Sequence, residues 1–334
     1  MIKVLLDKHK GFYKANLHCH STNSDGYFSP QELKEQYLAK GYSVVAFSDH
    51  EHLIDNSYLN DEHFVAITAC ELAIKEFPKQ STLSNQKMRV CHLNLYALNP
   101  HNVITPCYSS VYDHFITEQV KGLVCFEKEY NRVYSQNGIN EMIKIAKDNG
   151  FLVCYNHPTW SLETALDYLR YESLFAVEIY NTGCIRAGLY SDDEHVFDDM
   201  LRAGKQVFCI CADDNHEEGE QFGGWVYINA DRLDYESVMG ALKNGEFYAS
   251  TGPQILSLVQ EGELVRIQTS PCKKISLITA GRRGVAKTAL DGEYLSGATF
   301  DLHKGDEYFR IRILDEFGHK AYTQAYEIEK MFSN

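Results

Sequence analysis

The sequence lacks the signatures of several common enzyme classes. It has no Gly-x-Gly-x-x-Gly run and no Gly-x-x-x-x-Gly-Lys run, which disfavours a dehydrogenase or a P-loop nucleotide hydrolase. No Gly-x-Ser-x-Gly elbow argues for a serine nucleophile. None of the 10 cysteines forms a Cys-x-x-Cys pair, and Cys19, Cys91, Cys154 and Cys209 lie inside apolar runs. That usage reads as buried, reduced thiols in a cytoplasmic protein. No apolar run approaches the roughly 18 residues that a membrane helix needs, so no membrane partner is expected. The opening residues MIKVLLDKHKGFYKANLHCH show neither the apolar core nor the cleavage site of a signal peptide. Positive charge is scarce: 32 Lys and Arg against 46 Asp and Glu leave a formal net charge of −14. Such a surface repels a phosphate backbone, so stable duplex nucleic-acid binding is not expected.

What is present is a chain of 334 residues with 44% hydrophobic composition, enough for a barrel-sized domain and a smaller one. Strand-like runs fall at Lys14–Leu17, Ser43–Phe47, Phe64–Ala69, Val90–Leu95, Leu123–Phe126, Phe151–Tyr155, Ala176–Tyr180 and Val207–Cys211. Helical punctuation lies between many of them. Ser29-Pro30-Gln31-Glu32 reads as a capping box, Ser191-Asp192-Asp193-Glu194 as a second one, and Ile139–Asp148 has helical spacing. This alternation predicts an α/β fold with a mostly parallel sheet, open or closed into a barrel. Stretches 74–87 and 99–112 read as loops over the barrel mouth. Beyond Thr251-Gly252-Pro253 only short alternating runs and glycine-rich turns remain. The expected division is a barrel over residues 1–250 and a small antiparallel β domain over 251–334.

Polar residues cluster at the ends of the strand runs: His18-Cys19-His20 with Asp25, Asp49-His50, Glu71, His157, and Asp213-Asp214-Asn215-His216, with His92 inside a run. In an α/β barrel the carboxyl ends of the strands converge on one face, so these residues are expected to meet. His18 and His20 are two apart, as are Asp214 and His216, so each pair shares one side of an extended strand. Imidazole mixed with carboxylate suits Zn, Mn or Fe, with Mg less suited.

The pieces Asn16-Leu17-His18-Cys19-His20-Ser21, Ser24-Asp25-Gly26, Phe47-Ser48-Asp49-His50, Cys70-Glu71-Leu72, Cys91-His92-Leu93, Asn156-His157-Pro158 and Asp214-Asn215-His216 resemble the polymerase and histidinol phosphatase (PHP) family, in its order. Glu246-Phe247-Tyr248-Ala249-Ser250-Thr251-Gly252-Pro253 resembles the junction to a C-terminal β domain in a two-domain branch. The resemblance implies a distorted (β/α)7 TIM-like barrel and two or three divalent cations. It divides the ligands into His18, His20, Glu71 and Asp214; a second set sharing Glu71 with His92 and His157; and a third of Asp25, His50 and His216. Family members often carry Gly-Ser where this chain has Ala212-Asp213. The spacing to His216 favours Asp214 as the ligand, with Asp213 behind it. Asp49 is either a residue orienting a ligating histidine or a turn residue.

The implied chemistry is attack by a water that the cations activate, with Glu71, Asp214 and His216 as catalytic residues. The expected substrate is a small phosphomonoester or a nucleotide, which would make the enzyme a phosphoric ester hydrolase (EC 3.1). A hydrolase of a non-phosphate ester, carbamate or amide, and a non-catalytic metal-binding module, stay open beside it. Lys128, Arg132 and Arg186 are candidates to grip phosphate oxygens, with solvated surface charge as the alternative. Trp160 is a candidate aromatic wall for a nucleobase, or barrel packing.

Overall fold

The computed structural model describes residues 2–77, 88–189 and 192–328. Its strands, in chain order, are β1 (Ile2–Leu6), β2 (Gly11–Cys19), β3 (Val44–Phe47), β4 (Val65–Lys75), β5 (Val90–Ala97), β6 (Ile104–Thr105), β7 (Cys125–Phe126), β8 (Phe151–Tyr155), β9 (Ala176–Asn181), β10 (Phe208–Ala212), β11 (Trp225–Ala230) and β12 (Phe247–Ser250). The C-terminal part adds β13 (Ile255–Glu261), β14 (Leu264–Cys272), β15 (Lys274–Thr279), β16 (Gly284–Thr288), β17 (Leu295–Asp301), β18 (Tyr308–Leu314), β19 (Lys320–Thr323) and β20 (Tyr326–Glu327). The fold is mixed α/β with a large antiparallel component.

Hydrogen bonds join β2, β3, β4, β5, β8, β9 and β10 in that order. β2, β3 and β4 are parallel, as are β8, β9 and β10. β5 runs against both its neighbours. Beyond the end of β10, Asn215 bridges Cys19, and Asp214 N–H donates to His18 O at 2.9 Å, so the last strand's extension meets the first. These strands are buried almost throughout, which explains why they read as unbroken apolar runs. From β2 the path continues antiparallel through β11, β12, β19, β18, β15 and β16. β1, β13, β14 and β17 form a separate sheet. Leu5 and Leu6 of β1 therefore lie in the same apolar cluster as Leu258, Ile267, Phe309 and Ile311.

Helices are fewer than strict alternation predicts. Pro30–Ala39 starts at the expected capping box: Ser29 Oγ accepts from Glu32 N–H, and the Glu32 carboxylate accepts from Ser29 N–H. Gln136–Asp148 begins three residues before the expected start, because Ser135 Oγ accepts from Gly138 N–H at 3.1 Å. Glu194–Arg202 has no side-chain cap bond at Asp193, whose carboxylate is used elsewhere; the Ser191 of the expected second box lies outside the described residues, as do residues 78–87 of the expected loop. The described start of that stretch is still strand as far as Lys75, where β4 ends. Within 99–112 a short β6–β7 pairing and the 3₁₀ turn Ser110–Phe115 replace a featureless loop.

Candidate metal centre

The strand path brings all nine expected ligands together. Three groups have ligand atoms mutually within 4.8 Å: His18, His20, Glu71 and Asp214; Glu71, His92 and His157; and His20, Asp25, His50 and His216. They match the expected division except that His20 also belongs to the third. His92 is the third residue of its strand, whereas the other ligands lie late in theirs or beyond. The reversed direction of β5 explains this, because it puts the start of β5 beside the ends of its neighbours.

Glu71 is the centre of the arrangement. Its Oε1 lies 3.3 Å from His18 Nε2, 3.0 Å from His92 Nδ1 and 3.2 Å from His157 Nε2, and accepts from Asn156 Nδ2 at 2.7 Å. Its Oε2 faces His50 Nδ1 at 3.1 Å and His20 Nε2 at 3.6 Å. Burial pushes the Glu71 carboxyl up, but the surrounding imidazoles, His92 and His18 first, outweigh it and hold it well below the usual carboxylate range. Asp214 Oδ1 lies 3.0 Å from His18 Nε2 and 3.1 Å from His20 Nε2. Asp25 faces His50 at 3.6 Å and His216 at 3.7 Å.

The residues present fit divalent cations. His18 and His20 point their Nε2 atoms at each other across 3.2 Å, where two neutral rings can share only one proton. His20 Nδ1, His50 Nδ1 and Asp214 Oδ1 are buried without a hydrogen-bond partner. Burial, then the neighbouring His216 and His50, pulls His20 down to about 4, so the ring is neutral at neutral pH and keeps one nitrogen lone pair free. Converging imidazoles and carboxylates from rigid strands are what a cation needs and are costly without one.

Supporting residues orient these donors. His18 Nδ1–H donates to Glu178 Oε1 at 3.0 Å, which leaves Nε2 as the lone pair. Glu178 Oε2 also accepts from His157 N–H and from Asn181 Nδ2, both at 2.9 Å. Asn181 Nδ2 reaches Asp214 Oδ2 at 2.9 Å as well. His216 Nδ1–H donates to the Asp214 carbonyl at 3.1 Å and turns Nε2 toward Asp25. The sequence reading gave no role to Glu178, Asn156 or Asn181, although Asn156 stands in one of the family-like pieces. Glu178 did leave a signal: it is a lone charge inside the apolar run Ala176–Tyr180.

Two adjacent aspartates take opposite roles. Asp214, with a left-handed φ of 53°, turns into the site. Asp213 points away and accepts from Tyr37, Thr182 and the backbone N–H groups of Phe222, Gly223 and Gly224. Asp49 touches no histidine through a hydrogen bond; it accepts from Ser21 N–H, Ser21 Oγ and Ser24 Oγ, and so fixes the turn that carries Asp25.

The expected phosphate clamp needs correction at Arg132. Its guanidinium is buried against Glu51 at 2.7 Å, donates to the Ala73 and Cys107 carbonyls, and stacks on Tyr112. A side chain so committed braces the loop behind His50 and has little left for substrate. Lys128 and Arg186 are exposed. Trp160 lies beside the ligand rings: its centroid is 5.0 Å from that of His92 and 4.9 Å from that of His157, with 41% of its surface exposed. Sequence reading missed Phe115, whose ring lies 4.4 Å from His50.

No family model matches this chain. A 5′-3′ exoribonuclease of Haemophilus influenzae is 53% identical over 38 residues, 11% of this chain and 14% of that protein, so the match spans a small part of the relative. Among solved structures, a two-domain protein from Bacteroides vulgatus, described as containing a predicted PHP-like metal-dependent phosphoesterase, is similar at TM-score 0.43 and 13% identity, over 97% of this chain and 89% of that one. An amidohydrolase from Chromobacterium violaceum with bound sulfate and no metal is similar at TM-score 0.35 and 12% identity, over 62% of this chain and 88% of that one.

Proposed function

We propose that this chain is a PHP-type, metal-dependent phosphoesterase acting on a small phosphomonoester or a nucleotide, with the seven-strand ring as its distorted (β/α)7 barrel. The observation that carries this reading is the Glu71 carboxylate, shared by two ligand groups and ringed by imidazoles, with buried donors beside it that have no other partner. Divalent cations of the Zn, Mn or Fe type bound there supply Lewis acidity and the activation of water for attack at phosphorus. The chain's own residues do the rest. Glu178, Asn156 and Asn181 hold His18, Glu71 and Asp214 in place, so little reorganisation is needed during reaction. Glu71, Asp214 and His216 are the catalytic assignments: Glu71 is shared by two ligand groups, Asp214 faces both His18 and His20, and His216 is partly exposed at the mouth. Trp160 offers a flat face beside His92 and His157 against which a base can stack. The short similarity to an exoribonuclease supports a phosphate ester as substrate.

The engagement of Arg132 favours keeping a second reading, hydrolysis of a non-phosphate ester, carbamate or amide, since that chemistry needs no cationic clamp. Metal analysis of the purified protein, joined to a panel of p-nitrophenyl phosphate, mononucleotides and carboxyl esters, separates the two. The expected result is at least two divalent cations per chain and phosphatase activity that chelation removes. Turnover of carboxyl esters alone would select the second reading. Bound metal with no turnover would leave a non-catalytic module.

A further inference from the structure

The C-terminal sheet reaches the helix Glu194–Arg202 through a buried cation. Arg310 of β18 is fully buried, donating from Nη2 to Glu194 Oε1 at 2.7 Å and from Nε to Asp198 Oδ1 at 2.8 Å. Arg312, two residues on, adds a bond to Glu194 Oε2 at 2.8 Å. Both acidic partners belong to that helix, so β18 grips its first turns. A buried guanidinium with two carboxylates has one low-energy geometry, since losing either partner strands a charge.

The residue before Glu194 faces the metal centre's side. Asp193 is buried, and its carboxylate accepts from Thr159 Oγ1 at 2.6 Å and from Thr159 N–H at 3.3 Å. Asp193 N–H donates to Ile179 O of β9 at 2.9 Å, which ties the helix start to the strand carrying Glu178. Thr159 lies two residues after His157, in the tight turn that presents both His157 and Trp160. That turn is not self-sufficient: His157 holds a left-handed φ of 26°, a conformation that persists only where the surroundings enforce it.

We infer that Arg310 is a positioning residue for the metal centre: by fixing the start of the helix Glu194–Arg202 it sets Asp193, which holds the His157–Trp160 turn through Thr159. The C-terminal sheet is thereby part of the apparatus that orients one ligand and the aromatic wall. This inference rests on His157 being a cation ligand.

The test is zinc affinity, measured on the full-length protein by competition with a chromophoric chelator, alongside thermal melting. Thr159→Val removes the hydroxyl donor at nearly constant volume, and Arg310→Lys keeps the charge but loses the forked geometry. Both are expected to weaken the most weakly held zinc by about 10- to 100-fold, the usual effect of losing an outer support, with Thr159→Ser restoring it. Wild-type zinc affinity in Thr159→Val and Arg310→Lys, whatever their melting temperatures, overturns the inference while leaving the metal reading intact. Should Arg310→Lys fail to fold, Thr159→Val with wild-type affinity still overturns it. A His157→Ala variant with wild-type zinc content removes its premise and the ligand assignment together.

Discussion

At the scale of single residues, the sharpest contrast lies between Glu71 and Arg132. Both are charged, both are buried, and the sequence presents both as functional. Glu71 lies among the imidazoles of His18, His92 and His157, so its charge is answered by candidate ligating groups. Exchanging it for Ala removes a group common to two ligand sets. Metal content and activity are expected to fall together; full activity in that variant would refute a shared carboxylate. Arg132 is answered by a single fixed partner, Glu51. Arg132→Ala leaves that carboxylate buried with no opposite charge and only the Ala73 N–H to bond it, which costs about 3–5 kcal/mol. A denaturant melt is expected to show this loss of stability. Unchanged stability with a raised KM would return Arg132 to the substrate site. Glu163 gives a pH test away from the ligands. Burial raises its pKa against the hydrogen bonds from Tyr134 and Tyr171, so the carboxyl holds its proton more tightly in the folded protein than in the unfolded chain. A carboxyl raised on folding lends stability at pH below its ordinary value near 4.5 and loses it as pH rises through the folded value. The stability of Glu163→Gln relative to wild type is therefore expected to grow between pH 5 and pH 8. A constant difference across that range would rule the shift out.

At the scale of elements, the turn between β2 and the first helix shows how local geometry serves the site. Gly26 N–H donates to Ser21 O at 2.9 Å, and a Cβ on Gly26 would stand 2.4 Å from the His20 carbonyl carbon and oxygen. These are backbone atoms that cannot swing away. Gly26→Ala is expected to displace Asp25 and weaken metal binding in the group with His20, His50 and His216, while the group of Glu71, His92 and His157 keeps its own. Metal content in that variant equal to wild type would show that the turn yields. Elements also mark the limits of sequence reading. The strands of the ring were legible because strands covered on both faces become continuous apolar runs, and their ends announced the ligands. β1, β11, β12 and β17 were missed, and so was β16, whose residues are all exposed and carry no apolar pattern. The direction of β5 was not legible either, since a strand reads alike both ways until its neighbours are known. Glu178, Asn156 and Asn181 were unreadable as supports for the same reason: a buried amide or carboxylate acquires its role from the side chains that the fold places around it.

At the scale of the whole molecule, a sequence boundary near residue 250 meets a sheet that does not stop there. β12 pairs with β11 on one side and with β19 on the other, joining the ring to the C-terminal strands by backbone hydrogen bonds. β1, at the other end of the chain, pairs with β13 and contributes Leu5 and Leu6 to the C-terminal core. Composition changes near residue 250, but composition cannot report that a sheet crosses that point. The physical consequence is a prediction about truncation. A chain ending at residue 250 would leave β12 as an open sheet edge, expose Tyr248 from its buried cluster and leave β1 without a partner. It would also lose Arg310 from the side of Glu194 and Asp198. Open edges and uncovered apolar surface drive association between chains. The truncated protein is thus expected to aggregate, and the intact one to unfold in a single cooperative transition. Calorimetry and light scattering read both. A soluble 1–250 fragment that melts at the temperature of the intact chain would show that the ring stands alone and that the continuity of the sheet contributes nothing to its stability.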